Sequence, residues 1–400
     1  MATTHIIGTG LAGLAAATTL ARAGHHVQCY ESAATPGGRI SQLFDAGDNV
    51  GYEGTHALLF DAYSTLKKFA QSIGSAHTFI AHTMAGNIYD AKQKTYDTRH
   101  SFLLPPASSL AEYIAWLRFF LSRNSQTLEH EFDYFHPLSE HYIEPLCKAL
   151  TFQNVHQSET RMLARKLRYL LRKGRKGTRL LLPRHSLYQS LIAPAIAQIE
   201  QEGGTLYYNH RLQKIEWHSK RVHMLHFNKQ RKTIGARDNV ILALPYASLQ
   251  GLHLPIALPP ALNADIVNIV YKLTDVPEEN MPPLMTPIIG GTVDWLKREH
   301  GRIIAMCYAP YRLMSLDNDA LARKVWSEIA PILRLQTAPM PDARVLRERK
   351  AITHTILNMP PCISNLYLAG DYCAAAHLPP IEAAIISGQQ AANSIITSAS

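Results

Sequence analysis

A glycine-rich turn near the start of the chain separates two runs of different periodicity. The apolar run 4–7, Thr-His-Ile-Ile, predicts a short buried strand, and Gly8, Gly10 and Gly13 follow it with the spacing GxGxxG. On such a turn Gly8 permits the tight bend, Gly10 lets the backbone approach a pyrophosphate, and Gly13 lets the next helix pack closely on its strand. The turn therefore predicts a dinucleotide-binding site.

The residues after the turn complete a βαβ unit. An alanine-rich helix is expected over about residues 11–23, and the amides of Leu11 and Ala12 at its start would face the phosphates. A second strand, 27–30, leads to Glu31, whose carboxylate can accept hydrogen bonds from ribose hydroxyls and would repel a 2′-phosphate. An isolated GxGxxG occurs by chance, but strand, helix, second strand and acid in register favour the dinucleotide interpretation.

A second glycine pair follows this acid. Gly37 and Gly38 free the backbone to pass close to a cofactor, and Arg39 offers a charged fork to a phosphate. Alone, these residues would indicate an ordinary turn with a solvated arginine. Their position directly after the βαβ unit favours FAD over NAD as the cofactor.

The C-terminal part of the chain repeats the strand-to-helix pattern. Residues 365–371 predict a buried strand that ends at Gly370 and Asp371, and a helix begins near residues 378–382. A carboxylate at a strand end can bind the ribityl hydroxyls of a flavin, while the helix amides can meet a flavin carbonyl. We interpret Asp371 as such a ligand and Glu382 as a residue that complements the helix dipole.

Composition places the chain among ordinary globular proteins. Its 400 residues are 46% hydrophobic and 18% charged, which predicts two domains with ample core. The N-terminus lacks the basic region of a signal peptide, and no apolar run is long enough to span a bilayer. The five cysteines have no metal or disulfide spacing and are expected to be reduced thiols of a cytoplasmic protein; they are Cys29, Cys147, Cys307, Cys362 and Cys373.

One segment accounts for the net charge of +9. No acid occurs in residues 160–199, while ten cations do: Arg161, Arg165, Lys166, Arg168, Arg172, Lys173, Arg175, Lys176, Arg179 and Arg184. Leucines 163, 167, 170 and 171 recur there at helical spacing, which favours a helix lying on an anionic membrane surface through residues 161–179. The alternative is a solvated basic face with its leucines packed on the core. Nucleic acid is not expected as a partner, because no binding motif and no interleaved aromatics accompany the charge.

The pattern changes along the chain. Residues 63 to about 182 are mainly helical in pattern, with Leu110, Tyr113, Ile114 and Leu117 as an example, whereas short strands follow residue 203. The segments 266–272 and 303–308 suggest a second sheet. We predict an FAD-binding domain assembled from residues 1–62, 184–250 and 345–400, and a substrate domain formed by residues 63–183 and 251–344.

Taken together, these segments resemble the flavin amine oxidase and phytoene desaturase superfamily, and within it the hydroxysqualene dehydroxylases, also called squalene-associated FAD-dependent desaturases. The superfamily-level segments are 8–31, 37–39 and 368–371. The segments that resemble the subfamily are 54–59 with 62–63, 144–147, 180–183, 266–269 with 293–295, and 378–384. The resemblance implies a two-domain α/β fold of the flavin amine oxidase type, in which a Rossmann-type βαβ nucleotide domain adjoins a helical plus β-sheet substrate domain.

The resemblance also implies FAD as the cofactor. The predicted cofactor-binding residues are Gly8, Gly10, Leu11, Ala12, Gly13, Glu31, Gly37, Gly38, Arg39, Gly54, Thr55, Leu212, Gly370, Asp371 and Ile381, and no metal site is predicted. Because only one GxGxxG occurs, a dedicated NADPH domain is not expected. Reduction then falls to an external donor or to an open flavin face.

The reaction that the resemblance implies is reductive dehydroxylation of hydroxysqualene to squalene, for hopanoid or other triterpenoid lipids. It needs a proton donor at the departing oxygen, a dry site, and the hydride of reduced FAD. His56 is the first candidate for the acid, because its turn is expected near the flavin ring, and Glu53 and Tyr52 follow. The alternative is a hydrogen-bonded structural histidine. The chain has Tyr-Glu-Gly-Thr-His at 52–56, where the family usually has Asp-Asn-Gly-Gln-His.

Two other functions stay open at this point. One is a carotenoid-type desaturase or amine oxidase of the same superfamily, which would transfer hydride toward the flavin. The other is a non-enzymatic isoprenoid-lipid carrier on the same fold, against which the intact motif and Asp371 argue. The expected partners of the enzyme are a hydrophobic isoprenoid substrate and an anionic membrane, and the expected location is the cytoplasmic side of the inner membrane.

Overall fold

The computed structural model describes residues 2–45, 48–53, 58–83, 87–98, 109–131, 139–273, 276–277, 280–299, 301–308, 313–357, 364–375 and 377–399. For residues 43–45, 48–53, 98 and 399 it describes the backbone alone. The helices are α1 (Leu11–Arg22), α2 (Ser64–Ser72), α3 (Leu110–Leu121), α4 (Leu128–Glu131), α5 (Glu144–Thr151), α6 (Thr160–Leu171), α7 (Ala193–Gln201), α8 (Tyr246–Gln250), α9 (Asn318–Ile329) and α10 (Pro380–Ala399).

The strands alternate with these helices along the chain. They are β1 (Thr3–Ile7), β2 (His26–Tyr30), β3 (Gln42–Asp45), β4 (Asp48–Glu53), β5 (Phe79–Thr83), β6 (Asn87–Asp90), β7 (Thr95–Thr98), β8 (Arg179–Pro183), β9 (Thr205–Tyr207), β10 (Leu212–His218), β11 (Arg221–Phe227), β12 (Arg231–Thr233), β13 (Asn239–Leu242), β14 (Asn263–Lys272), β15 (Met285–Ile289), β16 (Trp295–Glu299), β17 (Arg302–Tyr308), β18 (Ala343–Thr353) and β19 (Leu366–Leu368).

A five-stranded parallel sheet is assembled from three distant parts of the chain. Its order is β19-β13-β1-β2-β9, and β1 pairs in parallel with both β2 and β13. Ile6 and Ile7 are buried on opposite faces, Ile6 in the cluster that contains α1 and α10 and Ile7 in the cluster under β10 to β12. A strand covered on both faces is apolar throughout, which explains the short hydrophobic run at the start of the sequence. The predicted α/β fold with a Rossmann-type unit is confirmed.

Small residues let α1 lie close to its neighbours. A Cβ at Gly13 would stand 2.0 Å from the carbonyl oxygen of Gly8, and a Cβ at Gly388 of α10 would stand 2.1 Å from that of Ala12. Both glycines are therefore required by backbone-to-backbone approach. The contact fixes the start of α1 against β1 on one side and α10 on the other.

The second sheet has seven strands in the order β18-β14-β17-β16-β15-β6-β7. Strands β14 and β17 are the two segments predicted from the sequence, and α9 packs its buried residues against this sheet. The hairpin β6–β7 joins the sheet through β15, and β5 pairs with β8, so the prediction of mainly helical structure over residues 63–182 is wrong for these strands. The predicted domain boundary before residue 345 falls inside β18, which pairs along β14. The division into two domains stays a prediction.

The leucine face of α6 is turned toward the protein interior. Leu163 and Leu167 are fully buried and Leu170 is nearly so, in the same cluster as α1 and α5. The interpretation of this leucine stripe as a membrane-facing surface is therefore wrong, because tertiary packing covers it. The cations Arg165, Arg172, Lys173, Arg175 and Lys176 remain exposed. No helix in the part of the chain that the structure describes is long and apolar enough to cross a membrane.

A buried ion-pair network joins two of the segments that resemble the subfamily. The ammonium of Lys148 lies 2.9 Å from a carboxylate oxygen of Glu144 and 2.8 Å from one of Asp294. Burial alone would lower the pKa of Lys148, but the two carboxylates raise it above its usual range. Asp294 also accepts a hydrogen bond of 2.6 Å from the amide of Tyr308. The network holds α5 against β16 and β17.

Replacing Asp294 with Ala is expected to lower the free energy of unfolding by about 3 kcal/mol, because it leaves a buried ammonium with one partner instead of two. Chemical denaturation of the two proteins measures the change. Glu140→Ala is the control, since Glu140 and Lys92 form an exposed pair whose loss is expected to cost less than about 1 kcal/mol. Equal losses in the two variants would contradict a structural role for the network.

Candidate functional site

A cavity of about 610 Å³ lies at the carboxyl-terminal edge of the parallel sheet. The residues after β1, β2, β13 and β19 all contribute to its wall, which is where α/β folds bind their ligands. Among the predicted cofactor-binding residues, those that line it are Gly8, Gly10, Leu11, Ala12, Glu31, Gly37, Gly38, Arg39, Leu212, Gly370, Asp371 and Ile381. Gly13 instead serves the packing of α1. Gly54 and Thr55 lie outside the described residues.

The glycine turn forms an open cradle. Gly8 has a φ of +101°, and a Cβ on it would stand 2.4 Å from the carbonyl oxygen of Ala243. A Cβ on Gly10, by contrast, would meet nothing within 4 Å and would project into open space. No side chain caps the N-terminus of α1, so its first amides are available to an anion. This cradle fits the pyrophosphate of a dinucleotide.

The second glycine pair lies against the first. Gly37 has a φ of +109° and donates its amide to the carbonyl of Thr9, while a Cβ on Gly38 would stand 3.4 Å from the Cα of Gly10. The left-handed backbone angles favour glycine at both positions. The two loops therefore form one continuous wall.

Glu31 is held by several donors. One carboxylate oxygen accepts from the amide and hydroxyl of Thr9, at 3.0 and 2.7 Å, and the other accepts from the hydroxyl of Ser32 and the amide of Ala33, at 3.1 and 2.9 Å. These four bonds match the number of lone-pair sites of a carboxylate. Ribose hydroxyls must therefore share these oxygens or displace the two hydroxyl donors.

Arg39 and Asp371, predicted to bind separate parts of the cofactor, form an ion pair with each other. The guanidinium donates to the Asp371 carboxylate at 2.8 Å and to the carbonyl of Ala351 in β18 at 2.6 Å. Burial alone would lower the pKa of Arg39, but Asp371 raises it above its ordinary value. The pair positions Asp371 at the end of β19 and ties the two large sheets together.

Glu382 does more than complement its own helix dipole. Its carboxylate, 1% exposed, accepts from the amide of Leu66 in the first turn of α2 at 2.8 Å. Its other oxygen accepts from the hydroxyl of Tyr169 in α6 at 2.5 Å. Glu382 therefore links the start of α10 to two helices beside the cavity.

Part of the cavity wall, here called the apolar lobe, is formed by mainly apolar side chains. Side chains of α5, α6, β18 and the segments between elements line it, including Leu59, Leu150, Phe152, Tyr169 and Ile352. A long hydrocarbon would bury its surface there without leaving polar groups unpaired.

Two basic side chains stand beside this lobe. Lys166 of α6 is only 7% exposed and donates to the carbonyl of Leu378 at 3.3 Å, and burial lowers its pKa to about 8 against a smaller opposing effect of Asp371. His354 adjoins it across a second cavity of about 30 Å³, and burial with the nearby Lys166 charge lowers its pKa to about 4. Sequence reasoning missed both residues. The available signal for Lys166 is its position in the leucine stripe, at 163, 166, 167 and 170.

The structure does not describe the side chains of the three predicted proton donors. His56 lies outside the described residues, and for Tyr52 and Glu53 the structure describes only the backbone of β4, which pairs with β3. Their catalytic role stays a prediction.

Comparison with known proteins agrees with this geometry. The model of the flavin containing amine oxidoreductases matches residues 11–396. The hydroxysqualene dehydroxylase of Zymomonas mobilis is 27% identical over 98% of this chain and 99% of its own length, and that of Rhodopseudomonas palustris is 27% identical over 98% of both. The solved cyclohexylamine oxidase of Brevibacterium oxydans superposes with a TM-score of 0.76 at 14% identity, covering 100% of this chain and 99% of that one. The chain therefore belongs to the flavin containing amine oxidoreductase family and is an FAD-dependent oxidoreductase.

Proposed function

We propose that this enzyme converts hydroxysqualene to squalene by reductive dehydroxylation, as a step toward hopanoid or other triterpenoid lipids. The observation that carries the proposal is the apolar lobe, whose side chains line the same cavity as the dinucleotide cradle, as a long hydrocarbon substrate requires. The full-length similarity to two hydroxysqualene dehydroxylases supports it.

The reaction breaks a carbon–oxygen bond and forms a carbon–hydrogen bond. The hydroxyl takes up a proton and leaves as water, and the carbon takes up a hydride, which FAD supplies when it is bound in its reduced form. The protein must therefore deliver one proton and keep bulk water from the carbocation. The apolar walls formed by Leu150, Phe152 and Ile352 meet the second requirement.

For the proton we propose Lys166. Its pKa of about 8 keeps most of the Lys166 side chains protonated at neutral pH. Such a pKa is close to the value that suits a general acid. Two other basic groups near Lys166, His354 and His377, have pKa values that burial lowers, so both are mostly neutral at pH 7. Asp371 is committed to Arg39. His56 stays the alternative donor.

We further propose that the enzyme associates peripherally with the cytoplasmic face of the inner membrane, where its substrate dissolves. The exposed cations of residues 161–179 support contact with anionic lipid headgroups. The leucines of α6 at 163, 167 and 170 do not contribute to this contact, because they are buried.

Purified holoenzyme, reduced under anaerobic conditions, is expected to convert hydroxysqualene in detergent micelles to squalene, detected by mass spectrometry. Flavin oxidation, followed by absorbance, should match the squalene formed one for one, because each turnover consumes one hydride. An enzyme that retains FAD but forms no squalene would contradict the proposal. Bleaching of the oxidised enzyme by a polyene or an amine would indicate hydride transfer in the opposite direction, as in a desaturase or an amine oxidase.

A further inference from the structure

Helix α3 exposes a continuous apolar stripe. Leu110, Tyr113, Ile114, Leu117 and Leu121 have exposed fractions between 50% and 76%. Spacings of three and four residues place all five on one side of the helix. Large apolar side chains exposed singly are common on protein surfaces, but a contiguous row on one helix marks an interaction surface.

The opposite side of α3 is fixed to the protein. Phe119 is fully buried, and Trp116 and Phe120 pack against the main core. The indole of Trp116 donates to the hydroxyl of Tyr142 at 3.1 Å, and a capping box formed by Ser109 and Glu112 closes the N-terminus. The helix is therefore held firmly by one apolar side while its second apolar side faces outward. An exposed apolar stripe of this kind calls for an apolar partner of its own.

Cations lie at the C-terminal end of this stripe. Arg168 of α6 donates to the carbonyls of Phe120 and Ser122 at the C-terminal end of α3. Arg165, Arg172 and Arg123 lie near Arg168 at that end of the helix. Burial, and then their positive charges, lower the pKa of Arg168.

Three acids of the neighbouring segments, Glu129, Glu131 and Glu159, are fewer than these four arginines. Glu159 lies 2.6 Å from Arg161, Glu129 lies 2.8 Å from His156, and Glu131 accepts from the side-chain amide of Asn124. Beyond α6, Lys173, Arg175 and Lys176 add further exposed cations.

We propose that the α3 stripe inserts into the interfacial region of an anionic lipid bilayer, with the cations of α6 and the following loop on the lipid headgroups. An apolar stripe bordered by Arg and Lys is the arrangement that binds such a surface. A second copy of this chain is a poorer occupant, because a two-fold contact through the stripe would bring the two sets of cations together. The inference does not depend on the substrate that the enzyme uses.

The position of α3 would bring the cavity close to the membrane. Helix α6 lies between α3 and the cavity, and its residues Lys166, Tyr169 and Leu170 form part of the cavity wall. A docked enzyme would therefore hold its apolar lobe one helix layer, or about 10 Å, from the bilayer surface. A lipid substrate would reach it without crossing bulk water.

Cosedimentation of the holoenzyme with vesicles tests the proposal. Vesicles of phosphatidylcholine with about a third phosphatidylglycerol are expected to bind the wild type, and the double variant Ile114→Glu, Leu117→Glu is expected to bind at least about tenfold more weakly. The matched control is Leu262→Glu, Leu284→Glu, which adds the same charges at exposed leucines of other segments and is expected to change binding less than twofold. Vesicles of phosphatidylcholine alone should bind the wild type more weakly, as should added salt.

Equal vesicle binding by the α3 variant and the wild type would overturn the proposal. A change from dimer to monomer in sedimentation, with vesicle binding unaltered, would instead assign the stripe to a second copy. Turnover of hydroxysqualene in detergent separates this inference from the proposed function. The α3 variant should keep that turnover and lose turnover of vesicle-borne substrate, whereas a wild type inactive in detergent would contradict the function and leave the vesicle result intact.

Discussion

Replacing Lys166 with Met is expected to lower kcat/KM for hydroxysqualene by about 10²- to 10⁴-fold, the usual contribution of a general acid. Lys166 lines the cavity, burial lowers its pKa to about 8, and it stands on the helix that forms part of the wall of the apolar lobe. Without its proton the departing oxygen would have to leave as hydroxide. The assay is turnover of detergent-dispersed hydroxysqualene by the reduced holoenzyme.

The activity of the wild type is also expected to fall at alkaline pH. A general acid acts in its protonated form, so kcat/KM of the wild type should fall tenfold per unit as the pH rises above about 8. In Lys166→Met this alkaline limb should be absent. A variant that loses activity but keeps the limb would show that another group supplies the proton, with His56 as the next candidate.

The stability of the variant separates chemistry from folding. Burial lowers the pKa of Lys166 from 10.5 to about 8, so the folded protein disfavours the ammonium, and this cost is present at pH 7 and disappears as the pH rises toward 10.5. Met has a similar volume and suits the leucine stripe, so Lys166→Met should unfold at the same or a higher denaturant concentration. Lys324→Met, on the exposed side of α9, is the control with unchanged turnover.

Local patterns predicted the nucleotide-binding unit well because its geometry is encoded over short distances. The spacing of Gly8, Gly10 and Gly13 reflects contacts within a single turn, and β1, α1 and β2 follow one another directly. The parallel neighbours β13 and β19 come from distant segments, so their place in the sheet rests on pairing that no local pattern contains.

The wrong predictions from the sequence also have a common physical origin. Strands β5, β6 and β7 have four or five residues each, too few for periodicity to distinguish them from helix. The distant strands β8 and β15 pair with β5 and β6. Hydrophobic periodicity correctly placed helices at α3 and α6, yet it does not tell what covers each apolar face. The leucines of α6 lie in the core, whereas the stripe of α3 is exposed.

Within the site, the chemistry of single residues was easier to predict than their pairing. Arg39 and Asp371 were each assigned to the cofactor, and both line the cavity, but 332 positions of chain separate the two partners of their ion pair. Lys166 was counted with the surface cations, because the sequence shows its charge and not its burial. Buried charges of this kind become visible only when the helix is packed.

Replacing Gly10 with Val is expected to weaken FAD binding by at least about a hundredfold, which corresponds to about 3 kcal/mol. The branched side chain would occupy the open space of the cradle where the pyrophosphate is expected. FAD at one hundred times its Kd should stabilise the wild type by about 2.7 kcal/mol and the variant by far less, which thermal unfolding with and without FAD measures. Ala23→Val, at the exposed other end of α1, is the control with unchanged affinity.

Gly10 separates cofactor binding from folding in a way that the other glycines of the turn do not. Its φ of −69° and ψ of 176° suit any residue, and a Cβ there touches no protein atom within 4 Å, so the variant should fold normally. A Cβ on Gly13 would stand 2.0 Å from a backbone oxygen and would disturb α1 itself. A folded Gly10→Val protein that still binds FAD with wild-type affinity would therefore mean that the pyrophosphate lies elsewhere, and the cradle would lose its assigned role.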